Sequence, residues 1–393
     1  MVEKRGIASA PVHGRRVLVR VDFNVPLDAN GRIADDRRIR EALPTLNHLR
    51  AAGAKTILLS HLGRPDGKRD PRFSLRPVAH HLSELLGQPV SFAEDIVGSR
   101  PLELATKLGS GQFLMLENLR FHPGEEANDP TFATQLANLG QVFIEDAFGT
   151  VHRAHASTVG VPKRLPSFAG LLVEREVREL SKLIEAPARP YVVVVGGAKV
   201  ADKLPLLTSF LGRADSLLIG GALAFPFLLA KNLRLGATSV EGGLKDAADD
   251  FFRRATAAGT EVVLPLDIVA EHPGSPEVSV HNVGHVPPGA VARDIGPETR
   301  ARFADVLSRS RTVFWNGPLG LAEDPRFANG TREVLAHLGE AAGYHVAAGG
   351  DSARVASDLG VAGSFQFIST GGGAALEFVE GIELPGLAVL PDA

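Results

Sequence analysis

The chain has 393 residues, which at roughly 100–200 residues per domain corresponds to two or three domains. Its 42 basic and 45 acidic residues give a formal charge of −3, a balance that favours neither a nucleic-acid-binding nor a polybasic membrane protein. The absence of cysteine excludes disulfides, thiolate nucleophiles and cysteine-ligated metal centres. No apolar run approaches the roughly 18 residues of a membrane span, and the N-terminus lacks a signal-peptide core, so we expect a cytoplasmic protein.

Short apolar strands alternate with segments of helical periodicity along the whole chain. In the first half, strands are predicted over 16–21, 55–60, 112–117 and 141–146, and helices over 41–52, 75–86 and 131–139. In the second half, strands are predicted over 191–195, 216–219, 261–266, 312–315, 345–347 and 366–369, and helices over 200–211, 246–258 and 325–338. Near-continuous apolar strands separated by helices indicate parallel sheets covered on both faces, which is an α/β fold.

A boundary between two lobes is predicted near the middle of the chain. A charged amphipathic helix is expected over 171–185, and Pro187 and Pro190 end it and stiffen the connection that follows. We therefore expect two doubly wound, Rossmann-like lobes joined by a hinge helix. The Pro-, Gly-, Ser- and His-rich stretch 271–288 predicts a surface excursion.

Polar side chains follow the predicted strands of the first half, at the edge where open parallel sheets bind ligands. This half is also rich in arginine, whose planar fork suits carboxylates and phosphates. The sequence therefore predicts a small-anion site, contributed by the segments 22–24, 61–64, 117–120 and 146–153.

Glycine clusters take the equivalent places in the second half. Glycine lets backbone N–H groups approach a phosphate closely, and a following helix adds the positive end of its dipole. Lys199 and Lys203 are four residues apart and share a helix face, and Asp351 could hold Mg²⁺. The clusters are 196–199, 220–221, 316–318, 349–352 and 370–373.

Three common motifs are missing from the sequence. Without G-x-x-x-x-G-K-[ST] a P-loop enzyme is not favoured, and without G-x-G-x-x-G a dinucleotide-binding protein is not favoured either. Without G-x-S-x-G an α/β-hydrolase is not expected.

Ten segments together resemble the phosphoglycerate kinase family along nearly the whole chain, in the family's order. They are RVDFNVPL (20–27), SHLGRP (60–65), LENLRFHPGEE (116–126), EDAFGTVHRAHAST (145–158), GGAKVADKL (196–204), LLIGGALAFPFL (217–228), DIGPET (294–299), FWNGPLGLAE (314–323), GGDSA (349–353) and STGGGAALEFVEGIELPG (369–386).

The resemblance implies reversible, Mg²⁺-dependent phosphoryl transfer between 1,3-bisphosphoglycerate plus ADP and 3-phosphoglycerate plus ATP. It implies a phosphoglycerate-binding lobe over 1–170, with the tail 380–393 packing back on it, a hinge over 171–187 and a nucleotide-binding lobe over 188–379. It further implies in-line transfer with hinge closure, in a cytoplasmic monomer that binds no nucleic acid or membrane.

The resemblance also implies roles for individual residues. The glycerate substrate would be held by Asp22, Phe23, Asn24, Arg38, His61, Leu62, Gly63, Arg64, Arg120 and Arg153. The nucleotide would be held by Gly197, Lys199, Lys203, Gly220, Gly221, Gly296, Asn316, Pro318, Glu323, Gly349, Gly350, Asp351 and Ser352, with Asp351 as the Mg²⁺ ligand. Catalysis would rest on Arg38, Lys199, Lys203, Gly349 and Gly372. A carboxylate acceptor is already ionised at neutral pH, so positioning and charge neutralisation would suffice without a general base.

Some positions depart from the family pattern. Ala347-Ala348 precede Gly349 where a third glycine is usual, Ala222-Leu223 stand where glycine and methionine are frequent, and Pro226 lies in a presumed helix. These departures concern nucleotide affinity and base preference. The alternative interpretations are a divergent kinase of a related carboxylic acid, an inactive binding paralogue and, from α/β architecture alone, an NAD-dependent dehydrogenase.

Overall fold

A computed structural model of the chain describes residues 3–240 and 242–393, with the side chain of Asp351 outside the described part. The chain divides into two compact units, Met1–Arg178 with Glu383–Ala393 and Glu179–Ile382. No helix of the described residues is long and apolar enough to cross a bilayer.

The first unit is built on six parallel strands in the order β3-β4-β2-β1-β5-β6. They are β1 (Arg16–Val21), β2 (Lys55–Leu59), β3 (Val90–Ala93), β4 (Phe113–Leu116), β5 (Val142–Asp146) and β6 (Ser167–Ala169). The helices are α1 (Arg37–Ala51), α2 (Arg76–Leu86), α3 (Ser99–Lys107), α4 (Pro130–Ala137) and α5 (Leu171–Ser181), the last of which continues into the second unit.

Alternate residues of the central strand face opposite layers of this core, as the pleat of a strand requires. Val17 and Val19 of β1 pack in one buried cluster with α1 and α2, whereas Leu18 packs in the other with α3 and α4. Both sheet faces are therefore covered, and the charged groups of the sheet lie at its carboxyl edge.

The second unit contains a parallel six-stranded sheet in the order β15-β14-β13-β7-β8-β9 and an antiparallel sheet in the order β11-β10-β12. Its strands are β7 (Tyr191–Val195), β8 (Ser216–Ile219), β9 (Glu261–Val263), β10 (Asp267–Glu271), β11 (Val278–Asn282), β12 (Val291–Ile295), β13 (Thr312–Asn316), β14 (Tyr344–Ala347) and β15 (Phe367–Ile368). Its helices are α6 (Val200–Ser209), α7 (Phe225–Ala230), α8 (Lys245–Ala258), α9 (Pro297–Ser308), α10 (Asn329–Glu340), α11 (Gly350–Asp358) and α12 (Gly373–Glu380).

The order of the large sheet reverses at β7. The chain runs outward from β7 through β8 to β9, then resumes on the other side of β7 with β13. In open α/β sheets the crevice at such a switch point is where ligands bind. The turns that follow β7 and β13 therefore lie at the expected place for a ligand.

The last residues of the chain belong to the first unit, where helix α13 (Pro385–Ala388) lies. Gly386 N donates to Val151 O at 2.8 Å, and a Cβ on Gly386 would lie 2.9 Å from Val151 Cα. The backbone of residue 386 therefore packs directly on the segment that follows β5.

The prediction of an α/β fold with two parallel sheets is confirmed. The antiparallel sheet was not predicted: the stretch 271–288, expected as a surface excursion, contains the edge strand β11. The helix predicted over 325–338 is instead a short turn at Pro325–Phe327 followed by α10. Pro226 lies in the first turn of α7, where its missing N–H is not needed, so it does not break a helix.

One buried carboxylate lies beneath the wall of the second unit's cavity described below. Asp294 of β12 accepts hydrogen bonds from Ile295 N at 2.8 Å and Gly330 N at 2.7 Å. A Cβ on Gly320 or Gly330 would lie 2.1 Å from its Oδ1, so glycine is needed on both sides. Burial raises the pKa of Asp294 to about 7.

The raised pKa predicts a pH dependence of stability. Between the ordinary pKa of 3.8 and about 7, native Asp294 keeps a proton that the unfolded chain has released. The free energy of unfolding therefore falls as pH rises through this window, by at most about 1.4 kcal/mol per pH unit, and the fall ends above it. The neutral variant Asp294→Asn should lack this component.

The single tryptophan, Trp315, is 1% exposed in the second unit and reports that unit's unfolding by fluorescence. We expect denaturant titrations at pH 5 and pH 8 to show a larger loss of stability in the wild type than in Asp294→Asn. Parallel pH dependences in the two proteins would contradict the assignment.

Candidate functional site

Arg38 is held over the end of β1 in the first unit. It lies in the first turn of α1, which begins at Arg37, four residues before the predicted helix start at residue 41. Its Nη1 donates to Asp22 Oδ2 at 2.9 Å and to Asn24 O at 3.2 Å. About a third of the Arg38 side chain is exposed, so the guanidinium is positioned yet still reachable by a ligand.

The ends of β1, β2 and β4 are joined through one glycine. Asn24 Oδ1 accepts from Gly63 N at 2.9 Å, and Gly63 O accepts from Arg120 Nη1 at 2.8 Å. Arg120 is only 4% exposed, and its Nε lies 3.1 Å from Glu126 Oε1. The structure thus brings together predicted site residues that are far apart in the sequence.

His61 is fixed by an arginine that the sequence analysis did not select. Arg20, which lies within β1 and is 1% exposed, places its Nη2 3.1 Å from His61 Nδ1. Arginine can only donate, so Nδ1 must accept and the ring proton must lie on Nε2. Burial first, and then the positive charge of Arg20, holds the pKa of His61 well below its usual range. His61 is therefore a neutral donor through Nε2.

His152 repeats this arrangement with the opposite tautomer. Arg153 Nε donates to His152 Nε2 at 3.1 Å, so the proton lies on Nδ1. That Nδ1 is buried and has no hydrogen-bond partner among the described residues. Burial and then Arg153 lower the pKa of His152. An unsatisfied donor is costly inside a protein, so an acceptor from outside the described chain would stabilise this position.

Two buried carboxyl groups lie near Arg20. Arg20 Nε donates to Ser157 Oγ at 2.8 Å, and Ser157 Oγ donates to Glu125 Oε1 at 2.5 Å. Burial raises the pKa of Glu125, and it raises that of Glu145 well above the usual range. Because a raised pKa favours the protonated, neutral form, these two acids neutralise less of the positive charge of the arginines than two ionised carboxylates would.

The other predicted residues of this cluster differ in accessibility. Phe23 is fully buried and Leu62 is 3% exposed, so their side chains are core residues and only their backbones could meet a substrate. Arg64 is exposed and makes no hydrogen bond or ion pair within the described chain. Arg20 was missed because it lies within β1, whereas the predicted site residues follow strands. His152 lies in the predicted segment 146–153 but was not assigned a role of its own.

The tautomer of His61 can be tested directly by long-range ¹H–¹⁵N correlation spectra. We expect an unprotonated Nδ1 and a protonated Nε2 from pH 5 to pH 8, because Arg20 supplies only donors. Arg20→Met should let the ring exchange between tautomers. Arg16→Met is the matched control, since Arg16 lies on the same strand but donates to Leu139 O. Tautomer exchange already present in the wild type would contradict the deduction.

Lys203 of α6 lies against the glycine turns of the second unit. Its Nζ donates to Gly196 O, directly after β7. A Cβ on Gly197 would lie 2.9 Å from Lys203 Nζ, and a Cβ on Gly317 2.6 Å from it. Both glycines have positive φ, so glycine is required by conformation as well as by space. Lys199 precedes α6, is exposed and has no partner among the described residues.

Asn316 ties the ends of β13 and β14 together. Its Nδ2 donates to Ala348 O at 2.8 Å, while its Oδ1 is buried without a partner in the described chain. Ser352 Oγ donates to the same Ala348 O and accepts from Gly317 N, each at 2.8 Å. A Cβ on Gly349 would lie 2.5 Å from Asn316 Nδ2, which explains the glycine there.

One described oxygen at this edge is of a kind that suits Mg²⁺. No group of three or more His, Asp or Glu side chains within the described residues could hold a metal. Mg²⁺ is commonly bound through one or two carboxylates, with phosphates and water completing its shell. The orphaned Asn316 Oδ1 is a hard oxygen of the kind that suits such a shell. The side chain of Asp351, the predicted ligand, lies outside the described part.

A cavity of about 860 Å³ opens beside Lys203. Of the predicted nucleotide residues, it is lined by Gly197, Lys199, Lys203, Gly221, Pro318 and Glu323. Gly220, Gly296, Asn316, Gly349, Gly350 and Ser352 are not among its lining residues. Lining residues missed by the sequence analysis include Phe225, Thr238, Ser239, Ala292 and Arg293.

The remaining predicted residues have structural surroundings of their own. Gly296 precedes α9, and a Cβ there would lie 2.3 Å from Asp267, so close packing explains this glycine. Glu323 Oε1 accepts from Arg354 Nη2 at 3.0 Å on the exposed surface. Gly372 precedes α12 with a φ of 55°, and nothing lies within 4 Å of the Cβ it lacks.

The fold and these groups define a class. One parallel α/β unit carries a cluster of arginines and histidines. The other carries two lysines on a glycine-lined cavity at a switch point. Together these are features of an α/β phosphotransferase.

Comparisons with known proteins agree with this class. The family model "Phosphoglycerate kinase" matches residues 7–382. The chain is 49% identical over 387 residues to phosphoglycerate kinase of Coprothermobacter proteolyticus, covering 98% of each chain, and 50% identical over 388 residues to that of Salinispora arenicola, covering 96% of each. The structure of phosphoglycerate kinase from Coxiella burnetii matches with a TM-score of 0.89 at 36% identity, covering 98% of both chains. The chain belongs to the phosphoglycerate kinase family, as its motifs predicted.

Proposed function

We propose that the chain catalyses reversible phosphoryl transfer between 1,3-bisphosphoglycerate plus ADP and 3-phosphoglycerate plus ATP. The observation that carries the proposal is the presence of both half-sites on a chain that the family model matches from residue 7 to 382. The first unit provides fixed cations and neutral histidine donors for an acid. The second provides a cavity of about 860 Å³ bordered by Lys199 and Lys203 for a nucleotide.

The phosphorylated acid binds the cluster of the first unit. Arg38, which is oriented by its hydrogen bond to Asp22, faces the acceptor carboxylate. The phosphate is held by Arg64, Arg120 and Arg153. His61 donates from Nε2, and the buried Nδ1 of His152 gains the acceptor that the described chain does not give it. Because both histidines are neutral, they orient the anion by hydrogen bonds without taking up protons.

The nucleotide binds the cavity of the second unit. Its phosphates lie at the β7–α6 turn, where Lys199 and Lys203 neutralise charge and the backbone N–H groups near Gly349 and Gly372 can approach. Asp351 would hold Mg²⁺, with Asn316 close to the same strand ends. When bound, Mg²⁺ would neutralise charge on the phosphates.

The reaction needs no general base in this arrangement. The acceptor is a carboxylate, which is ionised at neutral pH, so no proton has to be removed before attack. Rate acceleration would come from alignment and from cations fixed before the reaction, Arg38 on one unit and Lys203 on the other.

Closure around the 171–187 segment stays a prediction, which X-ray scattering with and without both substrates tests. A cytoplasmic location and a monomeric state are likewise proposed, and sedimentation tests the monomeric state.

The inactive-paralogue and related-acid alternatives gain no support from the described site. Arg38, Lys199 and Lys203 are all present, and Arg38 and Lys203 are held by hydrogen bonds at the strand ends. A dehydrogenase would bind a dinucleotide, and the family match stands against it.

The direct test is turnover with Mg-ATP and 3-phosphoglycerate, coupled to glyceraldehyde-3-phosphate dehydrogenase and followed by loss of NADH. We expect turnover that depends on Mg²⁺ and on both substrates. With a working coupling control, the absence of turnover with ATP, GTP and ITP would contradict the proposal. Turnover with glycerate or another carboxylic acid in place of 3-phosphoglycerate would instead favour the related-acid kinase.

Arg38 offers a prediction with a matched control on the neighbouring residue. Arg38→Ala should lower kcat by about 100-fold or more, because it removes a cation fixed beside the acceptor carboxylate. Arg37→Ala should leave kcat within about twofold, since Arg37 pairs on the surface with Asp35. Far-UV circular dichroism checks that both variants fold. Equal losses in the two variants, or none in Arg38→Ala, would contradict the role of Arg38.

A further inference from the structure

The cavity of the second unit has two walls of different character. One is the β7–α6 turn with Lys199 and Lys203, to which the proposed function assigns the phosphates. The other is formed by residues 291–293 of β12 and residues 237–239. With the phosphates on the first wall, the second wall is one of the surfaces left to the base, beside the lining residues of 221–225 and 318–323.

The second wall is fixed by hydrogen bonds within the unit. Gly236 pairs with Val291 in an antiparallel bridge, and Ala292 N donates to Thr238 Oγ1 at 2.9 Å. Thr238 Oγ1 in turn donates to Leu235 O. The Thr238 hydroxyl therefore already donates one hydrogen bond and accepts another. It is not the main group on this wall that could bind a base.

Arg293 is the cationic residue of this wall among the described lining residues. Its Nε donates to Glu271 Oε1 at 2.7 Å, and its Nη2 donates to the same oxygen. Leu321 N donates to Arg293 O at 2.9 Å, which fixes the backbone as well. These contacts use one edge of the guanidinium, and Nη1 has no partner within the described chain. Arg293 thus lines the cavity with its guanidinium held on one edge, and its Nη1 donors are not used in a hydrogen bond within the described chain, although its charge also acts on Asp324.

We propose that Arg293 recognises the nucleobase, and that the cavity favours purines with a 6-carbonyl group, guanine and hypoxanthine, over adenine. The proposal rests on the proposed function for the place of the phosphates. A guanidinium only donates hydrogen bonds, and the O6 and N7 of guanine are two acceptors that match its edge. Adenine presents an amino donor at position 6, so donors would face each other there.

The experiment compares kcat/KM for Mg-ATP, Mg-GTP and Mg-ITP at saturating 3-phosphoglycerate. In the wild type we expect kcat/KM for GTP and for ITP to exceed that for ATP. Arg293→Met keeps an unbranched apolar stem and removes the donors, and it should lower kcat/KM for GTP and ITP by about tenfold relative to ATP. We expect a change near the lower end of what one base contact usually contributes to discrimination, because the Arg293 side chain is 38% exposed.

Two further variants separate recognition from a purely structural ion pair. Glu271→Gln leaves Arg293 in place but loosens it, so part of the base preference should be lost. Arg326→Met is the control, because Arg326 lies 3.8 Å from the other oxygen of Glu271 and is not among the lining residues. It should leave the GTP-to-ATP ratio unchanged. If Arg293 served only as the partner of Glu271, Arg293→Met would lower kcat/KM equally for all three nucleotides.

The outcomes distinguish this inference from the proposed function. A wild type that prefers ATP to ITP, or an unchanged ratio in Arg293→Met, would overturn the inference while turnover upheld the function. ITP behaving like ATP while GTP is favoured would also overturn it, since the 2-amino group would then be recognised. Calorimetric binding of GDP, IDP and ADP to the full chain is independent of turnover. A base preference in binding that Arg293→Met abolishes would support the inference even if no phosphoryl transfer occurred.

Discussion

A buried cation must satisfy its N–H donors, and the acceptors it finds decide how the surrounding site is organised. Arg20 is almost fully buried, and among the described residues its hydrogen-bond acceptors are Val21 O, Ser157 Oγ and His61 Nδ1, none of which is a carboxylate. This set ties β1 to the end of β2 and to the 156–160 segment and fixes the tautomer of His61. In the second unit, Lys203 donates to a backbone carbonyl at the end of β7. In both units a cation is thus oriented by neutral groups at the carboxyl edge of a parallel sheet.

The switch point of the second unit explains why its site needs so many glycines. The turns after β7 and β13 approach each other so closely that a Cβ on Gly196 would lie 2.0 Å from Pro318 O. Lys203 then reaches the backbone directly. The antiparallel sheet adds the second wall of the cavity through β12. The parallel sheet therefore supplies the groups proposed for phosphates, and the added sheet supplies those proposed for the base.

The sequence predicted what depends on local pattern and missed what depends on tertiary contact. All six strands of the second unit's parallel sheet and four of the six in the first unit's sheet follow from apolar runs, whereas the short strands β3 and β6 were not predicted. The groups after β1, β2, β7 and β13 follow from polar residues at strand ends. The edge strand β11 was missed because its alternation of Val278 and Val280 with polar residues is short and lies among prolines and glycines. Arg20 and Arg293 were missed because both lie inside strands, where only the pairing of neighbouring elements shows what their guanidinium groups meet. For Gly296, which stays a predicted nucleotide-binding residue, the structure adds that the glycine packs on Asp267.

The central claim is that fixed cations, and no general base, accelerate the transfer. The most direct measurement is the single-turnover rate of phosphoryl transfer in Lys203→Met, with ADP affinity measured in parallel. Lys245→Met, which removes a lysine paired with Asp249 on exposed α8, is the control. The account predicts a rate lower by about 100- to 1,000-fold in Lys203→Met, a much smaller change in affinity and a normal rate in the control. A transfer rate within a few-fold of the wild type in Lys203→Met would contradict it.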